Sequence, residues 1–418
     1  MELKISVLAA ATLVAAPLSI GLMAAYNRPV SPVPPEQVVA SALTPGSPPS
    51  LSWPSQGEAA VGIEALNVLE TSPAARPLPT ASVAKVMTAL LTLEARPLDS
   101  GQSGPGITVT SDDVTTYRQD AAQGQSVVRV AVGEQLTEYQ ALQALLLPSA
   151  NNVATLLGRW VAGSQEAFTT RMNARATQIG MTQTNFDDAS GFSPRTVSVP
   201  TDLVRLGEVA MRDAVFAEIV DQQQVTLPID GIRPNVNAVL GVDGIVGVKT
   251  GNTVEAPGVY LAAAIYQVPS GPSLLIVLAL QGQPSLRTVT GGPSGAFDAA
   301  RTLLGSVRAV LREVRLVSRG QVVGRYRAPW GGEANVRTAA DLDAVVWPGS
   351  PVAVRLEARS ILPPLAGGTV VGTLDVSIGG HTRLVPVVGA GPMGSPDTLW
   401  RLTPHPIPPP VSEARPPP

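Results

Sequence analysis

The stretch LPTASVAKVMTALL, residues 78–91, is the most informative part of this chain for predicting its fold and its chemistry. Its apolar spacing predicts a helix with Thr80 as the N-cap. The stretch places Ser82 three residues before Lys85, and residues three apart share one face of a helix. The first turn of a helix also offers free backbone N–H groups and the positive end of the dipole. The sequence therefore predicts a hydroxyl and an amine side by side, at a position that suits a developing oxyanion.

Lysine is rare in this chain, which makes the lysine of that stretch informative. The 418 residues contain Lys4, Lys85 and Lys249, and arginine supplies the other 26 of the 29 basic side chains. Arginine cannot lose its proton in a protein, whereas a desolvated lysine can. We interpret Lys85 as the base for Ser82, because a serine hydroxyl needs a base to become a nucleophile.

The composition argues against several other kinds of site. Cysteine is absent, and the two histidines are His381 and His405. Disulfides and thiolate metal sites are therefore excluded, and neither a histidine metal site nor a Ser-His-Asp triad is expected before His381. The net charge is −3 without a basic stripe, so no nucleic acid partner is expected. We predict neither a metal nor a cofactor.

Two short downstream motifs extend the interpretation. The S-A-N of residues 149–151 lies at a predicted break between helices, where a hydroxyl and an amide can relay protons and hold a substrate. The K-T-G of residues 249–251 contains the other lysine of the mature chain. Gly251 lets a substrate approach the backbone, and Lys249 supplies a cation that lowers the pKa of Lys85 and attracts a carboxylate. Each motif alone is weak, but together and in this order they predict one active site.

The three motifs resemble those of the serine active-site penicillin-binding proteins, in which S-x-x-K, S-x-N and K-T-G line one cleft. TASVAKVMTALL, LLLPSANNVATLL and RPNVNAVLGVDGIVGVKTGNTVEAPGVYLAAA are similar to the motif regions of the low-molecular-mass D-alanyl-D-alanine carboxypeptidases. FDDASGFSPRTVSVPTDLVRLG is similar to the segment between the second and third motifs, and the resemblance covers about residues 58–390. It implies an α/β (α+β) transpeptidase fold related to β-lactamases, with an antiparallel sheet and an α-helical subdomain, followed by a small all-β domain.

The resemblance also implies a role for each motif residue. Lys85 would take the proton of Ser82, which would attack the carbonyl of the penultimate D-Ala of a peptidoglycan stem peptide. Ser149 would pass a proton to the departing D-Ala, and Asn151 would hold Lys85 and the substrate amide. Water would then hydrolyse the acyl-enzyme, and β-lactam antibiotics would acylate the same serine. The residues expected to bind substrate are Asn151, Lys249, Thr250, Gly251 and Asn252, with the backbone N–H groups of Ser82 and Asn252 forming the oxyanion hole.

Shifts in composition predict five segments along the chain. They are a signal peptide or transmembrane anchor (1–26), a Pro/Ser-rich linker without a packed core (27–57), a catalytic domain (58–311), a small all-β domain (312–404) and a Pro-rich tail (405–418).

The N-terminal run predicts export. Residues 5–26 carry no charge and would span about 33 Å as a helix, enough to cross a bilayer core. Whether the run is cleaved or kept as an anchor is open at this point. In either case we expect the catalytic part outside the cytoplasm, at the outer face of the membrane or in the cell wall or periplasmic space. If the run is uncleaved, it is the contact with the membrane, because the amphipathic C-terminal anchor of many family members is missing.

Three alternative functions remain open from the sequence. A class A β-lactamase shares the serine–lysine chemistry but relies on a glutamate, and TQTNFDDASGF offers only Asp187 or Asp188 in that role. An endopeptidase that cuts cross-links is a second alternative. An inert peptidoglycan-binding module is the third, although the intact motifs argue against it. Arg287 is the candidate for an arginine that the family often places near the substrate carboxylate.

Overall fold

A computed structural model of the protein describes residues 19–73, 75–269, 271–284, 294–403 and 405. These residues form two compact units. The central unit comprises residues 46–313 and 345–350, and the terminal unit comprises residues up to 45, 314–344 and 351 onwards.

Helices and strands alternate through the central unit, and strands dominate the terminal one. The helices are α1 (Lys85–Ala95), α2 (Ser111–Ala122), α3 (Glu138–Leu146), α4 (Asn151–Ala162), α5 (Gln165–Gln178), α6 (Pro200–Ala210), α7 (Ala214–Val220), α8 (Ser294–Val310) and α9 (Thr398–Leu402). The strands are β1 (Pro35–Gln37), β2 (Ala42–Leu43), β3 (Glu58–Ile63), β4 (Val68–Thr71), β5 (Leu78–Pro79), β6 (Gly106–Thr108), β7 (Gln135–Thr137), β8 (Val197–Ser198), β9 (Gln224–Leu227), β10 (Gly231–Pro234), β11 (Ile245–Gly251), β12 (Val259–Tyr266), β13 (Leu274–Gln281), β14 (Arg312–Val317), β15 (Val322–Arg327), β16 (Glu333–Thr338), β17 (Leu342–Val346), β18 (Val352–Ala358), β19 (Val370–Ile378) and β20 (His381–Ala390). Residues 19–26 are also helical.

The main sheet of the central unit is antiparallel, with strand order β11-β12-β13-β3-β4. Its middle strands are buried along most of their length because helices cover both faces. Leu261 lies beneath Gly207 of α6, whereas the ring of Tyr260 packs edge-on against Phe297 of α8. Successive side chains of a strand point to opposite faces, so α6 and α8 lie on opposite sides of the sheet. The predicted antiparallel sheet is confirmed.

The helical part of the central unit surrounds α1, whose residues are buried from Lys85 to Leu93. The predicted break between helices is present, since α3 ends at Leu146 and α4 begins at Asn151. The expected N-cap is not formed: the chain enters α1 through a 3-10 turn, Ala81–Ala84, and the Thr80 side chain makes no capping bond. The backbone of Thr80 instead pairs with Thr196, because the preceding strand β5 is joined to β8.

The terminal unit is built on a curled seven-stranded sheet of order β1-β15-β16-β20-β19-β18-β2. Two of these strands come from the stretch for which the sequence predicts a tether. β1 pairs with β15, β2 pairs with β18, and Val33 makes a two-bond bridge with Ile361. Residues 33–43 are therefore part of a folded sheet and not a free linker. The pattern of apolar residues does not predict this pairing, because an edge strand pairs through its backbone and tolerates proline.

The predicted export run is only partly covered by the structure. Among the described residues, no helix combines the length and the apolar character needed to cross a bilayer. Residues 5–18 of the run lie outside the described residues, as do residues 406–418 of the predicted tail.

Candidate active site

Ser82 and Lys85 are in direct contact. Lys85 Nζ lies 2.7 Å from Ser82 Oγ and donates a second hydrogen bond, 3.0 Å long, to the carbonyl oxygen of Ser190. The 3-10 turn that carries Ser82 explains the alignment, because side chains three apart eclipse in that geometry. The Lys85 side chain is 0 % exposed, so the amine reaches its partners inside the protein.

The surroundings of Lys85 favour a neutral amine. Burial is the largest effect and holds the pKa of Lys85 well below its ordinary value, and the nearby positive charge of Lys249 lowers it further. Asp188 and Asp120 act in the opposite direction by attracting the charged form. Because the uncharged amine can accept a proton, this environment suits a general base acting on Ser82.

Strand β11 brings the third motif against the Ser82 turn. A Cβ atom at Gly251 would lie 2.8 Å from Ala81 Cβ and 3.1 Å from the backbone nitrogen of Ser82. Any side chain there would push the strand away from the turn, so glycine is required by the close approach. The sequence analysis chose Gly251 for the close approach of a substrate; in the structure, the atoms that crowd it include those of the protein's own Ala81 side chain and Ser82 backbone.

Lys249 is buried on the same strand, with 1 % of its surface exposed. Its Nζ donates to the carbonyl oxygen of Thr250 at 3.1 Å, and Thr250 is also buried. Burial lowers the pKa of Lys249 to about 7. The amine is therefore a cation that gives up its charge near neutral pH, unlike the permanent cation that an arginine would supply.

The second motif lies at the start of α4, which packs against α1. Ser149 has a left-handed backbone with φ of 68°, which turns the chain sharply between α3 and α4. Asn151 donates from Nδ2 to Gln125 Oε1 at 2.5 Å, and its Oδ1 is buried without a hydrogen-bond partner among the described residues. The expected bond between Asn151 and Lys85 is not formed, because the amine bonds to Ser82 and Ser190 instead.

A loop that the sequence analysis did not assign to the site holds the Ser190 carbonyl. The Asp188 carboxylate accepts from Ser190 Oγ at 2.5 Å, from Thr196 Oγ1 at 2.6 Å and from the backbone N–H of Phe192 at 3.0 Å. Gly191 has φ of +78°, and a Cβ there would lie 1.7 Å from the carbonyl oxygen of Ala81. The sequence signal that could have revealed this loop is the ASG of FDDASGF, in which a glycine follows a serine between the second and third motifs.

Two asparagines, Asn252 and Asn237, hold the segments next to the K-T-G in place. Asn252 is exposed, and its Oδ1 accepts from the N–H of Gly258 at 3.1 Å, which shapes the loop after the K-T-G. In the Asn-Val-Asn of residues 235–237, which precedes the K-T-G, Asn237 accepts from the hydroxyl of buried Tyr260 at 3.0 Å, so it holds β12 in place. Arg287 lies outside the described residues.

Comparison with known proteins identifies relatives of this chain. The model of a family described as D-alanyl-D-alanine carboxypeptidase matches residues 54–270. The D-alanyl-D-alanine carboxypeptidase DacC of Escherichia coli is 27% identical over 328 residues, covering 75% of this chain and 78% of that protein. DacB2 of Mycobacterium tuberculosis, also named a D-alanyl-D-alanine carboxypeptidase, is 31% identical over 232 residues, or 54% of this chain and 72% of that protein.

The fold is also similar to that of solved structures. Penicillin binding protein 5 from Haemophilus influenzae superposes with a TM-score of 0.56 at 19% identity, covering 84% of this chain and 99% of that one. This confirms the predicted transpeptidase fold. Since the matching family model spans more than half of the 418 residues, the chain belongs to the D-alanyl-D-alanine carboxypeptidase family.

Proposed function

We propose that the protein is a serine-type D-alanyl-D-alanine carboxypeptidase that removes the terminal D-Ala from peptidoglycan stem peptides through an acyl-enzyme on Ser82. The observation that carries the proposal is the 2.7 Å contact between Ser82 Oγ and the buried amine of Lys85. It pairs a nucleophile with a base in a chain whose histidines both lie near the C-terminus.

The first half of the reaction forms the acyl-enzyme. Neutral Lys85 accepts the Ser82 proton as Oγ attacks the carbonyl carbon of the penultimate D-Ala. The oxyanion is stabilised by the backbone N–H groups of Ser82 and Asn252. The C–N bond then breaks, and Ser149 relays the proton held by Lys85 to the departing amine of D-Ala, which leaves Lys85 neutral again.

The second half of the reaction restores the enzyme. A water molecule attacks the ester carbonyl as neutral Lys85 takes one of its protons. That proton passes to Ser82 Oγ as the acyl C–Oγ bond breaks, and the shortened stem peptide leaves. Substrate binding uses Lys249 and Thr250 for the terminal carboxylate and the unpartnered Asn151 Oδ1 for an amide N–H of the peptide, while Gly251 leaves room for the peptide backbone. A β-lactam acylates Ser82 by the same first step.

The contacts of Asp188 argue against the β-lactamase alternative. Its two carboxylate oxygens already accept hydrogen bonds from Ser190, Thr196 and Phe192, and Asp187 pairs with Arg195. Neither carboxylate is therefore arranged to activate a deacylating water. Endopeptidase activity on cross-links uses the same acyl-enzyme, so only substrate assays separate it from the carboxypeptidase reaction.

For localisation, we propose that residues 5–26 direct export and that the catalytic unit acts outside the cytoplasm, where members of the family meet peptidoglycan. The uncharged run supports this proposal. Fractionation of cells and determination of the mature N-terminus would test it, and a full-length product found in the cytoplasm would contradict it.

The decisive experiment compares the wild type with Ser82→Ala. We expect the wild type to bind fluorescent penicillin covalently and to release D-Ala from a synthetic peptide ending in D-Ala-D-Ala. Ser82→Ala should do neither while keeping its circular dichroism spectrum. Labelling of the variant would show that the nucleophile is another residue. Cleavage of cross-linked dimers without D-Ala release from the monomeric peptide would favour the endopeptidase.

A further inference from the structure

The terminal unit contains a cavity of about 250 Å³ whose lining is mostly apolar and aromatic. Its lining includes two tryptophans, Trp330 and Trp400, and the polar side chains of Arg28, Arg401 and His405. It is built entirely from residues of the terminal unit, and none of the three motifs contributes to it. The reaction proposed above therefore leaves this cavity without a role.

Ring contacts hold the aromatic side of the cavity in place. The rings of Trp330 and Trp400 meet edge to face with centroids 5.4 Å apart, and Trp400 stacks on His405 at 4.1 Å. The indole N–H of Trp330 donates to the carbonyl of Gly394 at 3.1 Å. These contacts fix the two indoles as an ordered surface.

The end of the predicted export run is fastened to this surface. Arg401 Nη1 donates to the Tyr26 carbonyl oxygen at 3.0 Å, and its guanidinium lies 5.5 Å from the centre of the Tyr26 ring. A few residues later, Val33 forms its bridge with Ile361. Seven residues span at most about 25 Å, so a membrane that holds residues 5–26 must lie close to the terminal unit.

Apolar side chains beside the cavity face solvent. Leu399 of α9 is 75% exposed, and Met23 in the helical stretch before Tyr26 is 70% exposed. Exposed leucine and methionine next to tryptophan, tyrosine and arginine form the composition that proteins present to the headgroup layer of a membrane. Arginines at that level can bind lipid phosphates while their stems lie along apolar surface.

We propose that these residues form a membrane-docking surface, defined by Tyr26, Arg28, Trp330, Leu399, Trp400 and Arg401, which binds the headgroup layer of an anionic phospholipid membrane. Arg28 and Arg401 contact lipid phosphates, and Leu399 and the two indoles enter the boundary between headgroups and acyl chains. The proposal rests on the proposed localisation, with residues 5–26 kept as an anchor, and it is independent of the reaction at Ser82.

The test uses the full chain reconstituted into vesicles after mass spectrometry of its N-terminus. Vesicles of phosphatidylcholine with about one third phosphatidylglycerol would carry brominated acyl chains, which quench tryptophans that enter the membrane interface. We expect tryptophan quenching in these vesicles, a partial loss of it in Trp400→Phe, and a loss of most of it when Trp330→Phe is added, because both indoles enter the interface. The matched control is Trp160→Phe, because Trp160 stacks against Arg96 in the central unit and its removal should leave the quenching unchanged.

A charge variant keeps the proposal testable if Trp400→Phe folds poorly. Arg28→Gln combined with Arg401→Gln should reduce quenching several-fold in anionic vesicles, whereas Arg355→Gln, an exposed arginine of β18, should not. Equal quenching in all variants would overturn the proposal, as would quenching that appears only after residues 406–418 are removed, because the Pro-rich tail would then occupy the surface. Fluorescent penicillin labelling should be unchanged throughout, so failure here is distinguishable from failure of the proposed function.

Discussion

At the scale of single residues, the buried Lys85 amine explains why this arginine-rich chain keeps a lysine there. We predict that Lys85→Arg is inactive although it keeps the positive charge, because a guanidinium cannot act as a base at neutral pH. Loss of a general base typically costs at least ~10²–10⁴-fold. The measurement is the rate of acylation by a β-lactam.

Lys249→Arg is the matched contrast for that experiment. It keeps the cation proposed to bind the substrate carboxylate, so the loss should be smaller, although the buried position constrains the longer side chain. If Lys85→Arg acylates at nearly the wild-type rate, Lys85 is not the base.

Asp188 should set the pH at which Lys85 becomes active. Its charge raises the pKa of Lys85, against the effects of burial and of Lys249, and Asp120 assists it. Asp188→Asn removes this attraction, so the pKa of Lys85 falls and the acid limb of the pH–rate profile for acylation shifts to lower pH.

The control for this prediction is the neighbouring aspartate. Asp187→Asn removes a carboxylate that pairs with Arg195 and does not contribute to the pKa of Lys85. The acid limb of the pH–rate profile of this variant should not shift. If Asp188→Asn lowers the acylation rate but leaves the pH profile unshifted, Asp188 has only a structural role in the loop.

At the scale of elements, the packing of β11 on the Ser82 turn leaves no room for a side chain at Gly251. We predict that Gly251→Ala slows acylation by at least ~10²-fold, because a displacement of about 1 Å at a reacting group is enough for such a loss. The added Cβ would meet Ala81 and the Ser82 nitrogen at 2.8 and 3.1 Å. Stopped-flow acylation by a chromogenic β-lactam would measure the effect.

Gly305→Ala is the control for that prediction. Gly305 lies in α8, and a Cβ there meets nothing within 4 Å. The substitution should leave acylation unchanged and stabilise the helix by about 1 kcal/mol. Equal acylation by both glycine variants would mean that the strand can move without harm to the site.

At the scale of the whole molecule, the buried amine of Lys249 should cost folding stability. Its folded-state pKa is about 7, whereas an unfolded lysine titrates near ~10.4. Between these values the unfolded state binds more protons, so the free energy of unfolding rises with pH, by up to ~1.4 kcal/mol per unit. We predict that Lys249→Met is more stable than the wild type at pH 7 and that the difference shrinks towards pH 10.

Urea denaturation at pH 7, 8.5 and 10 would measure this difference. Arg76→Met, which changes an arginine side chain that is 79% exposed, should show no such pH dependence. The stabilised Lys249→Met variant should also acylate poorly, because it lacks the cation proposed to bind the substrate carboxylate. A constant stability difference across the pH range would contradict the lowered pKa.

Features that depend on short spacing and on residue chemistry could be predicted from the sequence alone. Ser82 and Lys85 meet because three residues fit one turn, and Lys85 was interpreted as the base because arginine cannot serve as one. The break before Ser149 and the strands around the K-T-G were predictable for the same reason, since proline, glycine and apolar periodicity act locally.

The distant groups that complete the site and the sheet could not be predicted from the sequence, because they meet only in the folded chain. The Ser190 carbonyl reaches Lys85 from 105 residues away, and Asp188 and Gln125 join the site through loops whose sequences show no common pattern. Residues 33–43 join the edges of the terminal sheet through backbone hydrogen bonds, which any residue except proline can both donate and accept. Such pairing leaves no signature in the side chains, so it is fixed by which edges remain open once the rest of the chain has folded.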